Sequence, residues 1–272
     1  MRSATLYDGT RLAAIGLGTW LMGGDTQADP RQDEKALAAL RLALELGYSH
    51  IDTAEMYAAG HTEELVGQAL RGVERSQVFI TSKVKPDNLS YDRLLRSLDG
   101  SLRRLGVDTI DLYLIHWMSY RIPLKESFRA LNQAVREGKV RYLGVSNFGL
   151  DELKESQRLS ETPLVTNQVP HSLFTRRYTR NGVIPYCQEH GIVVTAYSPV
   201  EEGRLKRAAG LEQVAAARQA TPYQIALAWL VNQPGVITIP MSQNAEHLRQ
   251  NLEAGEIQLS GEEMALLNGL AG

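Results

Sequence analysis

The chain has 272 residues, of which 43% are hydrophobic and 22% charged, ordinary proportions for a soluble globular protein long enough to bury a substantial core. A formal net charge of −2 gives no reason to expect nucleic acid or an acidic membrane surface as a partner, and a lone cysteine, Cys187, excludes an internal disulfide or a cysteine metal cluster. No apolar run approaches the roughly 20 residues that span a bilayer, and the opening MRSATLYDGTRL lacks the apolar stretch of a signal peptide, so a cytoplasmic protein is expected.

The opening TLYDGTRLA reads as a hairpin turning at Asp8-Gly9. A first barrel strand follows around IGLGTW, and then one phrase repeats: amphipathic helix, glycine, apolar strand. Gly47, Gly106, Gly138 and Gly191 each follow a helical stretch, where a left-handed residue ends a helix cheaply. In DRLLRSLDGSLRRLG, Leu94, Leu98, Leu102 and Leu105 form one stripe, and Arg96, Arg103 and Arg104 point mostly elsewhere. ESFRALNQAVREG repeats the pattern with Phe128, Leu131 and Val135, and PYQIALAWLVNQ leads into the last strand, VITIP. Strands are expected near 14–18, 49–53, 78–83, 110–115, 140–145, 164–168, 192–196 and 236–239. Strands alternating with helices imply a parallel sheet. Eight such units without a linker favour a single (β/α)8 TIM-barrel domain over 1–272, with an N-terminal β-hairpin, over an open doubly wound sheet whose edges would need protection.

Six of these runs end on a polar residue: Asp52, Lys83, His116, Asn147, Gln168 and Tyr197. Burying unpaired charge is costly, and a barrel delivers all its strand ends to one face. Tyr57 follows Asp52 in the loop above that face. Lys83 held by Asp52 would lower the phenol's value toward working pH and make Tyr57 a general acid, with His116 orienting a carbonyl oxygen. Alone, Asp52 and Lys83 read equally well as a structural ion pair and His116 as a core histidine; jointly, at successive strand ends, they point to carbonyl reduction. The hydride needs a cofactor, yet Gly16-Leu17-Gly18 is followed by Leu21 where a third glycine would complete the dinucleotide fingerprint. A nicotinamide would therefore sit in the barrel mouth, with Ser146, Asn147 and Gln168 as polar partners and the Tyr197 ring to stack on. Trp20 and Trp117 are expected to line the substrate pocket, and Glu55, Glu63 and Glu64 to begin a surface helix. His50, His61, His171 and His190 lack ligand spacing, so no metal is expected, and Cys187 reads as a small buried hydrophobe.

The motifs GLGTW at 16–20, DTAEMY at 52–57, TSK at 81–83, DLYLIHW at 111–117, GVSNF at 144–148, NQV at 167–169, AYSP at 196–199 and IPMS at 239–242 together make the chain resemble the aldo-keto reductases, from the hairpin almost to Leu270. The resemblance implies NAD(P)H-dependent, metal-free reduction of small aldehydes or ketones by a tetrad of Asp52, Tyr57, Lys83 and His116, the substrate lying against Trp20, Tyr57, His116 and Trp117. It implies cofactor contacts from Gly18, Thr19, Trp20, Asp52, Ser146, Asn147, Gln168 and Tyr197 at the nicotinamide end. Ser198, Val200, Gly203 and Leu205 would follow the pyrophosphate, and Ile239, Met241, Ser242, Gln243, His247, Gln250 and Asn251 the adenosine. NADPH is the family's usual cofactor, but Met241 and His247 stand where many members carry the lysine and arginine that hold its 2′-phosphate. NADH is thus the alternative, with Arg249 and Lys206 as candidate substitutes for the missing cations. Met118 replaces a common proline, and the end at Gly272 leaves hardly any tail to cover the mouth. A monomer is the simplest expectation. The competing functions are a nucleotide-binding redox sensor or accessory subunit with little turnover, and a phosphate-handling isomerase or aldolase, which IPMSQNAEHL does not support because it offers no glycine-rich phosphate loop.

Overall fold

The computed structural model describes residues 2–270; Met1, Ala271 and Gly272, and with them the expectation drawn from the chain's end, lie outside it. Strands β1 (Ser3–Thr5) and β2 (Arg11–Ala13) pair antiparallel around Asp8-Gly9, where the Asp8 carboxylate accepts from the Thr10 amide at 3.0 Å. The eight strands that follow are β3 (Leu17–Gly18), β4 (His50–Asp52), β5 (Phe79–Val84), β6 (Ile110–Ile115), β7 (Val140–Ser146), β8 (Leu164–Pro170), β9 (Val193–Tyr197) and β10 (Val236–Thr238). They run parallel in sequence order, and a bridge between Ile15 and Thr238 brings the last beside the first, as in a (β/α)8 barrel. At this seam Gly18 is required: a Cβ there would lie 2.5 Å from the Ile239 carbonyl oxygen.

Alternation along each strand decides which residues face the axis. On β6, Leu112 and Leu114 join one buried cluster with Leu6 and Leu12 of the hairpin, whereas Tyr113 and Ile115 belong to the larger core beneath the helices. The hairpin therefore plugs the amino-terminal end of the barrel. One step beyond β6 on the inward register stands His116, and on β5 the inward register runs Thr81, Lys83, Lys85.

Helices α1 (Asp33–Glu45), α2 (His61–Ala69), α3 (Tyr91–Leu105), α4 (Leu124–Arg136) and α5 (Leu150–Leu159) cover the sheet, followed by α6 (Arg177–Arg180), α7 (Val183–Glu189), α8 (Ala209–Ala217), α9 (Pro222–Val231), α10 (Ala245–Ala254) and α11 (Gly261–Asn268). The four glycines read as helix stops all have positive φ. Leu94, Leu98 and Leu105 are buried and Leu102 packs against the core, as the stripe on α3 predicts. Arg104 departs from that pattern: it turns inward onto Glu63. The expectation of a surface helix beginning with Glu55, Glu63 and Glu64 is corrected accordingly. Glu63 is fully buried, and Glu55 precedes the helix as a half-buried loop residue accepting from the Lys85 amide and the Ser97 hydroxyl at 2.7 Å each. Charge does not keep Glu63 outside because α3 brings the Arg104 guanidinium against it. No helix among the described residues is long and apolar enough to cross a membrane.

Candidate active site

Lys83 lies at the centre of the barrel mouth with no exposed surface. Its ammonium donates to Asp52 Oδ1 at 2.5 Å, to the Thr53 carbonyl at 2.8 Å and to the Tyr57 hydroxyl at 3.2 Å. Three directed acceptors match its three donors. Asp52 Oδ2 accepts from Gln168 Nε2 at 2.7 Å, so both carboxylate oxygens are held. The His116 ring meets Tyr57 edge-on, centroids 5.8 Å apart, and stacks on Trp117 at 4.1 Å. Its Nδ1 is buried and finds no partner within the protein. The strand ends thus bring together all four residues of the expected tetrad.

Electrostatics corrects one expectation. The Tyr57 phenol sits above its ordinary value, not below: burial raises it and outweighs the opposing Lys83 ammonium. Burial likewise works to lower the Lys83 value, but the Asp52 carboxylate, with the hydrogen bonds to Asp52 and Tyr57, prevails and leaves it raised, so the amine stays an ammonium. Burial, aided by Lys83, drops His116 to about 2, which keeps the imidazole neutral. The site therefore holds a protonated phenol, a permanent cation and a neutral hydrogen-bonding ring.

A cavity of about 1690 Å³ opens over this group, more than a small ligand alone needs. Asp52, Tyr57, His116, Gln168 and Tyr197 line it, with Gly18, Thr19, Trp20 and Trp117. Trp20 and Trp117 are 41% and 39% exposed, facing open space rather than packing in the core. Ser198, Val200 and Gly203 continue the wall, and Ile239, Met241, Ser242, Gln243, His247, Gln250 and Asn251 complete it. Beyond the tetrad, Ser198, Ser242, Gln243 and Asn251 on this wall offer the hydrogen-bonding groups that a dinucleotide needs.

Four expected residues do not line the cavity. Lys83 lies beneath its floor. Leu205 packs against the core. Ser146 donates to the Gln168 carbonyl at 2.9 Å, and Asn147, at φ 64°, donates to the His116 carbonyl at 3.1 Å while accepting from the Tyr197 hydroxyl at 2.8 Å. These bonds tie the ends of β6, β7, β8 and β9 together.

Other lining residues escaped the sequence pattern. Lys85 was legible from its two-residue offset to Lys83, whereas Arg104, Tyr223 and Thr221 come from helices and their caps and carry no strand-end signal. Tyr223 donates to the Gly203 carbonyl at 2.8 Å, and Glu201 accepts from Ser172 at 2.9 Å, pinning a loop with left-handed backbone at Ser198, Glu201, Glu202 and Gly203. His50, His61, His171 and His190 bond to Thr81, to Asp33 and Glu64, to Gln233 and to the Tyr186 carbonyl, respectively. Among the described residues no three histidine, cysteine or acidic side chains gather as a metal site. Cys187 is buried and free.

A model of the "Aldo/keto reductase family" matches residues 14–271. Methylglyoxal reductase YeaE of Escherichia coli (strain K12) is 39% identical over 263 residues, spanning 94% of this chain and 90% of that protein. The crystal structure of the thermostable aldo-keto reductase Tm1743 with the inhibitor epalrestat superposes with a TM-score of 0.96 at 45% identity, covering 100% of both chains. An aldo/keto reductase from Klebsiella pneumoniae in complex with NADP and acetate gives 0.89 at 40% identity, covering 98% of this chain and 94% of that one.

Proposed function

The chain belongs to the aldo/keto reductase family and is an NAD(P)H-dependent oxidoreductase; from that premise we propose that it reduces small aldehydes and ketones with Tyr57 as the proton donor. One observation carries this assignment: the Lys83 ammonium touches Asp52 and the Tyr57 hydroxyl at once, at 2.5 and 3.2 Å. A bound nicotinamide supplies the hydride. As the carbonyl carbon accepts it, the C=O π pair moves to oxygen, which takes the phenolic proton of Tyr57. The phenolate left behind lies beside a fixed ammonium, whose attraction is strongest in a water-poor site. A phenol held above its ordinary value arrives fully protonated, so Lys83 acts on the charge that forms rather than on the resting acid. Neutral His116 orients the carbonyl oxygen without a competing charge. The reverse sequence oxidises the alcohol.

The half-exposed indoles of Trp20 and Trp117 flank the reacting groups, a wall suited to small, flat carbonyl compounds. With a methylglyoxal reductase among the relatives, we assign 2-oxoaldehydes to the substrate class. For the cofactor, Lys35, Lys85 and Arg104 are the lysine and arginine side chains lining the cavity, and none belongs to the 241–251 segment. Arg249 and Lys206 do not line it, and Arg249 stands 3.9 Å from Glu246. Hence NADH is proposed to serve alongside NADPH. The test is consumption of dihydronicotinamide absorbance with methylglyoxal and other aldehydes. Wild type should turn over and Tyr57→Phe should not, with cofactor affinity within about threefold; near-normal turnover by Tyr57→Phe would refute the acid assignment.

A further inference from the structure

Tyr57 is followed by three left-handed residues, Ala58 (φ 48°), Ala59 (φ 56°) and Gly60 (φ 96°). L-residues adopt that conformation only where their surroundings over-determine it. Part of the constraint comes from above, where the Ala58 amide donates to the Asp25 carbonyl at 2.8 Å. The Tyr57 and Ala59 amides donate to the Ala54 and Met56 carbonyls at 3.1 and 3.4 Å, and one side chain packs against the other side of the turn.

Arg104 leaves the last turn of α3 and passes under the turn. A Cβ on Gly60 would lie 2.7 Å from its Nε and 2.9 Å from its Cδ, and a Cβ on Gly100 3.0 Å from its Nη1. Two glycines thus leave a slot that the guanidinium fills. Arg104 Nε donates to Glu63 Oε2 at 2.7 Å, and Nη2 stands 2.7 Å from the same oxygen. Glu63 has no exposed surface, and its other oxygen accepts from Ser82 at 2.5 Å. Ser82 immediately precedes Lys83 on β5 and faces the opposite side of the strand. A continuous series, Ser82–Glu63–Arg104–Gly60, therefore links the strand that bears the ammonium to the turn that bears the phenol.

We propose that Arg104, seated by Glu63, is a positioning residue for Tyr57, fixing the left-handed turn that holds the hydroxyl against Lys83. The proposal rests on the reading of Tyr57 as the acid. A planar, forked cation is needed because the slot is flat and the carboxylate is approached through two nitrogens; a lysine offers neither.

Removing Arg104 alone would leave a buried carboxylate without its partner and confound misfolding with misplacement. The test therefore uses Glu63→Gln/Arg104→Met, in which the amide oxygen can still accept from Ser82, and independently Gly100→Ala, a helical position without positive φ whose Cβ would press on Nη1. Each should lose about tenfold or more in kcat and move the alkaline limb of the kcat–pH profile upward as the phenol loses its cation. Combining them should cost little more than either alone, because both act on one contact. Wild-type kcat with an unmoved limb, in either variant and at any melting temperature, overturns the proposal. Tyr57→Phe separates the two ideas: if it keeps turnover the acid assignment itself fails, whereas lost turnover there with unaffected Glu63→Gln/Arg104→Met removes only the positioning role.

Discussion

Gln168 and Asp52, 116 residues apart in sequence, are joined across the barrel by a 2.7 Å hydrogen bond from the amide to Oδ2. Asp52 is 1% exposed, so no solvent replaces that donor. Gln168 therefore belongs to the frame of the tetrad before any cofactor binds. Gln168→Leu should lower unfolding free energy by about 1–3 kcal/mol, the cost of leaving a buried acceptor unsatisfied. Urea denaturation without nucleotide measures it, and an unchanged midpoint would mean that this bond contributes nothing to the empty protein.

The Asp52–Lys83 pair is buried on both sides, and breaking it from one side strands a charge. Asp52→Asn should cost about 3–5 kcal/mol, whereas Asp52→Asn/Lys83→Met, which removes both charges, should recover most of that. Neither variant should reduce aldehydes, since no cation remains correctly held beside Tyr57. Equal destabilisation of the single and double variants would show that hydrogen-bond geometry, not the unpaired ammonium, sets the cost.

What could be read in advance followed from periodicity. Apolar runs of strand length, four of them preceded by a glycine that stops a helix, specify the barrel, and a polar residue at an inward strand end falls in the mouth by register alone. Asp52, Lys83, His116 and Gln168 were legible for that reason. Glu63 and Arg104 were not, because amphipathic patterning assigns charges to the solvent side and cannot see two helices enclosing a pair between them. The Tyr57 ionisation was misjudged for a related reason: the neighbouring cation is visible in sequence, but the depth of burial that outweighs it is a property of the packed structure.

Two neutral histidines make the protein acid-sensitive in a definite direction. Burial lowers His50 to about 4, and burial with Lys83 lowers His116 to about 2. Both lie below the unfolded value near 6.5. Between the folded and unfolded values the unfolded chain binds more protons, so stability is present above about pH 6.5 and is lost as pH falls below it. The drop in melting temperature from pH 7 to pH 5, a window in which few ordinary carboxylates titrate, should be smaller in His116→Gln than in wild type. Identical drops would mean that His116 protonates in the folded protein without penalty.

Cofactor choice should turn on Met241, which is 38% exposed and lines the cavity beside Ser242 and His247. If the 2′-phosphate of NADPH lies there, wild type offers it no lysine or arginine. Met241→Lys would add a charge-assisted hydrogen bond, about twice as strong as a neutral one, and should tighten NADPH about tenfold while leaving NADH unchanged. Quenching of Trp20 and Trp117 fluorescence reports both affinities. Because the gain is electrostatic and near the surface, raising the salt concentration should shrink it. A variant that tightened both cofactors equally, or neither, would place the phosphate elsewhere along the groove and remove the argument that Met241 relaxes the preference for NADPH.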